Sequence, residues 1–176
     1  MRQGYTMNIT LIGMPGSGKT SIGREVARIL EYDFVDIDQL IRKKTGIPLQ
    51  TIIDTKGDEA LVHMEEKIVL GLSIRDGMVI SPGGSIVYSD KAMDRLKEKT
   101  IIIFLHTPLS RVKQQINNQD SRGIVGLKGR SFETLFAERF PLYQKYADMS
   151  VDIGDRDTIS SVAAKIVEAI RYAPEK

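Results

Sequence analysis

Gly13-Met14-Pro15-Gly16-Ser17-Gly18-Lys19-Thr20 stands between the apolar run Asn8–Ile12 and the stretch Ser17–Leu30, where Ile22, Val26, Ile29 and Leu30 recur at helical spacing. Strand, then G-x-x-x-x-G-K-T, then helix is the context in which such a loop cradles phosphate. Glycines let the backbone curl until several N–H groups point inward, and the following helix N-terminus adds partial positive charge. Gly13, Gly16, Ser17, Gly18, Lys19, Thr20 and Ser21 are therefore the expected phosphate-binding residues. Lys19 can reach the β- and γ-phosphates, and the Thr20 hydroxyl can ligate Mg²⁺. The bland alternative, a glycine-rich turn without ligand, does not account for the flanking strand and helix.

Working outward, short Ile/Val-rich runs alternate with longer amphipathic stretches. Asn8–Ile12, Asp33–Asp36, Met78–Ser81, Thr100–His106 and Ser150–Ile153 read as strands. Their nearly continuous apolarity is that of parallel strands buried on both faces. Ser17–Leu30, Asp58–Arg75, Asp90–Lys97, Pro108–Asn117, Ser131–Tyr146 and Thr158–Tyr172 read as helices. The alternation predicts an α/β fold, three layers deep, with a five-stranded parallel sheet between helices. The 176 residues suit a single domain of this kind. Two stretches break the rhythm. Residues 37–65 read as an inserted substrate-binding region. Residues 115–130, with Gly123, Gly126 and Gly129, read as a lid with few apolar anchors, or more plainly as a surface loop.

Phe34-Val35-Asp36-Ile37-Asp38 closes the second expected strand. Ligands of open α/β sheets bind beyond the carboxyl ends of strands. If the strand persists, Asp36 and Asp38 project the same way. One carboxylate can hold Mg²⁺ and the other can accept the proton of an attacking hydroxyl. The pair could instead cap the next helix, Asp38 above all.

Composition narrows the classes. There are no cysteines, so disulfides, thiolate metal sites and cysteine nucleophiles are excluded. With 25 basic and 23 acidic residues, the net charge of +2 gives no footprint for nucleic acid. The longest apolar run, Ile101–Leu105, is far short of a membrane span, and Met1–Thr6 lacks the apolar stretch of a secretion signal. Cytoplasm is the expected location. The phosphate loop by itself is shared by GTPases, motor-type ATPases and small-molecule kinases, and there is no N-K-x-D guanine signature.

The phosphate loop, Asp36-x-Asp38, Gly46, Gly57-Asp58 through Glu65, Ser81-Pro82-Gly83-Gly84-Ser85, and Arg139-Phe140-Pro141-Leu142-Tyr143 with Ala147-Asp148 together resemble the shikimate kinase family over nearly the whole chain. The resemblance implies a nucleoside-monophosphate-kinase-like fold with strand order 2-3-1-4-5, transfer from ATP to a ring hydroxyl, a substrate insert, a lid and a monomer. It implies Asp36 and Thr20 at the metal and Asp38 at the substrate hydroxyl. It also implies Gly83 and Gly84 near the transferring phosphate, Arg122 as the lid arginine, and Arg139 at the acceptor's acidic group.

Departures fall on the acceptor side. In the family's Gly-Glu-x-x-Phe-Arg-x-x-Glu the arginine grips a carboxylate. Here Gly57-Asp58-Glu59-Ala60-Leu61-Val62-His63-Met64-Glu65 has Val62 at that position, which cannot mimic a bidentate arginine. Ile53 stands where another aromatic is usual, and Gln115 where an adenine-stacking arginine is usual. The acceptor stays open between shikimate and another polyol, sugar acid or hydroxy amino acid. A nucleotide-dependent switch is the reading from a different class, and the retained Asp38 argues against it. If shikimate binds, Arg139 with a lid cation or Lys67 must serve its carboxylate, and Val62→Arg should improve it as a substrate.

Overall fold

The structure is a computed structural model that describes residues 7–117 and 123–172. In chain order it runs β1 (Ile9–Ile12), α1 (Lys19–Leu30), β2 (Asp33–Asp36), α2 (Ile37–Thr45), α3 (Leu49–Lys56), α4 (Asp58–Gly71) and β3 (Met78–Ser81). A 3₁₀ turn (Ile86–Tyr88), α5 (Asp90–Lys99), β4 (Ile101–His106), α6 (Leu109–Asn117), α7 (Phe132–Tyr146), β5 (Met149–Asp152) and α8 (Ile159–Ile170) complete it. The strands form one sheet in the order β2-β3-β1-β4-β5, every neighbouring pair parallel.

Strand side chains alternate between two cores, as the two-residue period requires. Ile101, Ile103 and Leu105 of β4 pack with Ile9, Leu11 and Val79 against the α1 and α8 residues Ile22, Val26, Val162 and Ile166. Ile102 and Phe104 face the other way, with Ile12 and Ile80, into the core under α2 to α5 and α7. Helices on both faces thus account for the unbroken apolar runs. Among the described residues no helix is long and apolar enough to cross a membrane.

Three expectations change. The first helix begins at Lys19 rather than Ser17, because Gly16 and Gly18 hold left-handed φ values of 81° and 89° that a helix cannot include. The helix expected over Asp58–Arg75 stops at Gly71, after which Leu72 is extended. The strand carrying the aspartates ends at Asp36, so Asp36 and Asp38 do not share a strand face. Asp36 is the N-cap of α2, accepting a hydrogen bond from the Gln39 amide at 3.0 Å, and Asp38 lies in the first helical turn. Capping thus belongs to Asp36 rather than Asp38.

Candidate active site

A cleft of about 300 Å³ opens at the carboxyl ends of β1, β2 and β3. One end is built from a single continuous segment. Gly16, Gly18, Lys19, Thr20 and Ser21 line it, with Gln115 of α6 beside them. Lys19 is nearly buried, and its Nζ donates to the carbonyls of Gly13 and Met14, both at 2.9 Å. Ser17 is buried beneath the lining with its Oγ unpartnered, and a buried polar atom without a partner fits a missing phosphate oxygen. Gly13 is packed against the Leu105 carbonyl of β4, behind the loop rather than on its surface. Thr20 Oγ1 donates to Asp36 Oδ2 at 2.9 Å, which joins the hydroxyl and the carboxylate suited to a hard cation. No group of three His, Cys, Asp or Glu residues among the described residues could hold a metal. A divalent ion at Thr20 and Asp36 would complete its shell with phosphate oxygens and water, as Mg²⁺ commonly does.

The other end is assembled from distant segments: Asp38 and Arg42 of α2, Leu49 of α3, Leu61 of α4, Gly83 and Gly84 after β3, Ile124 and Val125, and Arg139 of α7. Gly83 and Gly84 are there because no side chain fits. A Cβ at Gly83 would lie 2.5 Å from Glu65 Oε1 and 3.0 Å from Asp38 Oδ1, and one at Gly84 would lie 2.7 Å from Pro15 and 3.1 Å from Arg139 Nη1. Tyr143 fixes this turn by donating its hydroxyl to the Gly84 carbonyl at 2.7 Å.

Arg139 is wholly buried. Its Nη2 donates to the Val125 carbonyl at 2.7 Å and its Nε to Tyr88 Oη at 3.1 Å, while Nη1 has no partner. Tyr88 in turn donates to Glu138, which also receives Arg130. The guanidinium is therefore held rigidly, with one charged donor unspent beside Gly84. Glu65, 1% exposed, accepts from Ser85 Oγ at 2.6 Å through Oε2, and its Oε1 is unpartnered. Burial, and then the nearby Asp38 charge, push its carboxyl up to about 7. The Ser85 hydrogen bond, the Gly83 amide and the Arg139 charge offset this only in part.

The cleft thus brings together Gly16, Gly18, Lys19, Thr20, Ser21, Asp36, Asp38, Gly83, Gly84, Gln115 and Arg139. Two expectations fail. Val62 does not line it. Val62 lies next to Leu61 on α4, about 100° around the helix, and faces a neighbouring cavity with Asp58, Glu59, Glu66 and Tyr88. The lid was expected to lack apolar anchors, yet Ile124 and Val125 are buried in the core. The Gly126 amide bonds Asp58 Oδ2 at 2.8 Å, and Gly123 abuts the backbone of Leu49 and Gln50. Arg122 and residues 118–121 lie outside the described residues. Sequence reading missed Arg42, Leu49 and Glu65 as neighbours of this end. The first was within reach, since Arg42 follows Asp38 by one helical turn. Lys67, offered as a reserve cation, is exposed and lies outside the lining.

A phosphate loop and a recess sized for a small polar molecule on one side of a single parallel sheet define the class: a small-molecule phosphotransferase. Residues 15–171 match the family model described as shikimate kinase. The shikimate kinase of Halorhodospira halophila is 34% identical over 94% of this chain and 94% of its own, and that of Colwellia psychrerythraea 33% over 94% and 97%. The shikimate kinase of Acinetobacter baumannii, solved in complex with shikimate, superposes with a TM-score of 0.87 at 27% identity, covering 95% of this chain and 94% of the other. The chain belongs to the shikimate kinase family, and it is a kinase that phosphorylates an alcohol group of a small molecule.

Proposed function

We propose that this protein, acting as a monomer of one domain, transfers the γ-phosphoryl group of ATP to a ring hydroxyl of shikimate. The observation that carries the acceptor is Arg139 Nη1, a buried charged donor left unpartnered beside Gly84, at the turn that packs against Pro15 of the phosphate loop. Leaving such a donor unmet is costly, and an acidic acceptor meets it. In this reading Lys19 turns from the Gly13 and Met14 carbonyls to the transferring phosphate, and Thr20 and Asp36 hold Mg²⁺. When bound, the ion neutralises charge on the phosphate oxygens. Asp38 orients the acceptor hydroxyl and takes its proton as the oxygen attacks phosphorus. The bond to the bridging β-phosphate oxygen breaks, and ADP leaves. Gly83 and Gly84 admit acceptor and phosphate closely to the backbone, and Arg122 serves the transferring phosphate. The test is ADP release measured with shikimate, gluconate, homoserine and a neutral polyol. Shikimate should stimulate it well above the acceptor-free rate, and equal rates with the neutral polyol would overturn this acceptor.

A further inference from the structure

Three basic side chains among the described residues line the cleft: Lys19, Arg42 and Arg139. Lys19 belongs to the phosphate end. Arg139 has two of its donor groups committed and one free nitrogen, whereas a carboxylate has two oxygens that call for paired donors. Arg42 is different from both. It is an exposed residue on α2, and no hydrogen bond or ion pair joins its side chain to any described residue. α2 ends in Arg42, Lys43 and Lys44, all favourable at a helix C-terminus. The dipole explains three cations there, but it does not explain why Arg42 lines the cleft and neither lysine does.

We propose that Arg42 is the second cation for the acceptor's carboxylate, in the role that an arginine at position 62 would otherwise fill. This rests on the reading of the cleft given above. Asp38 and Arg42 are four residues apart on one helix, so they stand on one face about 6 Å apart along its axis. Leu49 and Leu61 line the same cleft. A compact ring acid fits that frame, its reacting hydroxyl at Asp38 and its carboxylate between Arg42 and Arg139 Nη1. Arg42 also supplies positive charge where Asp38, with Glu65 behind it, would otherwise repel an anion.

The experiment is steady-state kinetics at saturating ATP and Mg²⁺, with shikimate and its neutral methyl ester as acceptors. The proteins are wild type, Arg42→Gln, Arg42→Lys and Lys43→Gln. Arg42→Gln should raise KM for shikimate about 10- to 100-fold, the range of a charge-assisted bond, with kcat kept and KM for ATP unmoved. Its preference for the acid over the ester should fall by the same factor. Arg42→Lys should recover part of the loss, and Lys43→Gln should behave as wild type. Shikimate turnover by wild type together with an unchanged KM in Arg42→Gln would overturn the role of Arg42 alone. So would equal losses for acid and ester. No shikimate-dependent turnover by wild type would overturn this role and the acceptor reading together.

Discussion

The two ends of the cleft are built on opposite plans. The phosphate end is one segment, Gly13–Ser21, closed by one carboxylate from β2. Most of its chemistry is backbone amides, so its specification is local. The acceptor end takes residues scattered over α2, α3, α4, α7 and 123–125, held by bonds such as Arg139 to Val125 and Tyr143 to Gly84. A local device for triphosphate can persist while the distant side chains that choose the alcohol are exchanged. Mutations at the two ends should therefore fail differently.

The largest effect belongs to the phosphate end. Lys19→Ala removes a preorganised positive charge where negative charge spreads in the transition state. Turnover should fall on the order of 10²–10³-fold whichever acceptor is supplied. A loss that depended strongly on the acceptor would break the division between the ends.

Next comes the junction. Asp38→Asn should lower kcat about 10²-fold, as loss of a general base does, with affinity for ATP nearly unchanged. Asp36→Asn should instead raise the Mg²⁺ concentration required, because Asp36 is bonded to Thr20 and Asp38 is not. Titration of both variants with Mg²⁺ and with shikimate separates the two roles. The same magnesium defect in both would erase the distinction.

The same contrast explains what was legible in the sequence. The three central strands were readable because, buried on both faces, they are nearly unbroken apolar runs, and the phosphate loop because its elements are contiguous. The carboxylate pair was readable only in part. Its residues were evident, but the end of the strand at Asp36 was not, since the N-cap there depends on the Gln39 amide. At the acceptor end, position along the chain misled. Val62 looked like the decisive substitution, yet its side chain faces the next cavity, and Arg42 looked like one of three helix-end cations. Ile124 and Val125 were hidden in a polar, glycine-containing stretch, and only the core they enter reveals them as anchors.

Glu65 sharpens the comparison by charge. Its carboxyl holds a proton up to about pH 7 in the folded protein, against an ordinary value of 4.5. The folded state therefore binds more protons than the unfolded chain between these values. The stability is fully present below about 4.5 and is lost as pH rises through about 7. The cost at pH 8 is up to about 3 kcal/mol. Glu65→Gln should remove this slope and stabilise the ligand-free protein at pH 8 more than at pH 5, as followed by urea unfolding. Equal changes at both pH values would mean that Glu65 ionises normally despite its burial.

The smallest effect is expected at Val62, where the sequence alone forecasts a clear gain. Arginine there would emerge beside Asp58, Glu59 and Glu66, which line the same cavity. Those carboxylates would capture the guanidinium in half-exposed ion pairs worth at most about 1 kcal/mol. Val125 lines both this cavity and the cleft, and its burial in the core makes it a fixed wall between them. Val62→Arg should then change kcat/KM for shikimate by no more than about threefold, a free-energy difference below about 1 kcal/mol. In an Arg42→Gln background the same substitution should rescue little, because the new charge sits behind the wall. Kinetics on both backgrounds decide the matter. A tenfold gain in the single variant would mean that Val125 gives way when acceptor binds, and that position 62 opens onto the carboxylate after all. Rescue confined to the Arg42→Gln background would mean that either arginine can complete the pair with Arg139.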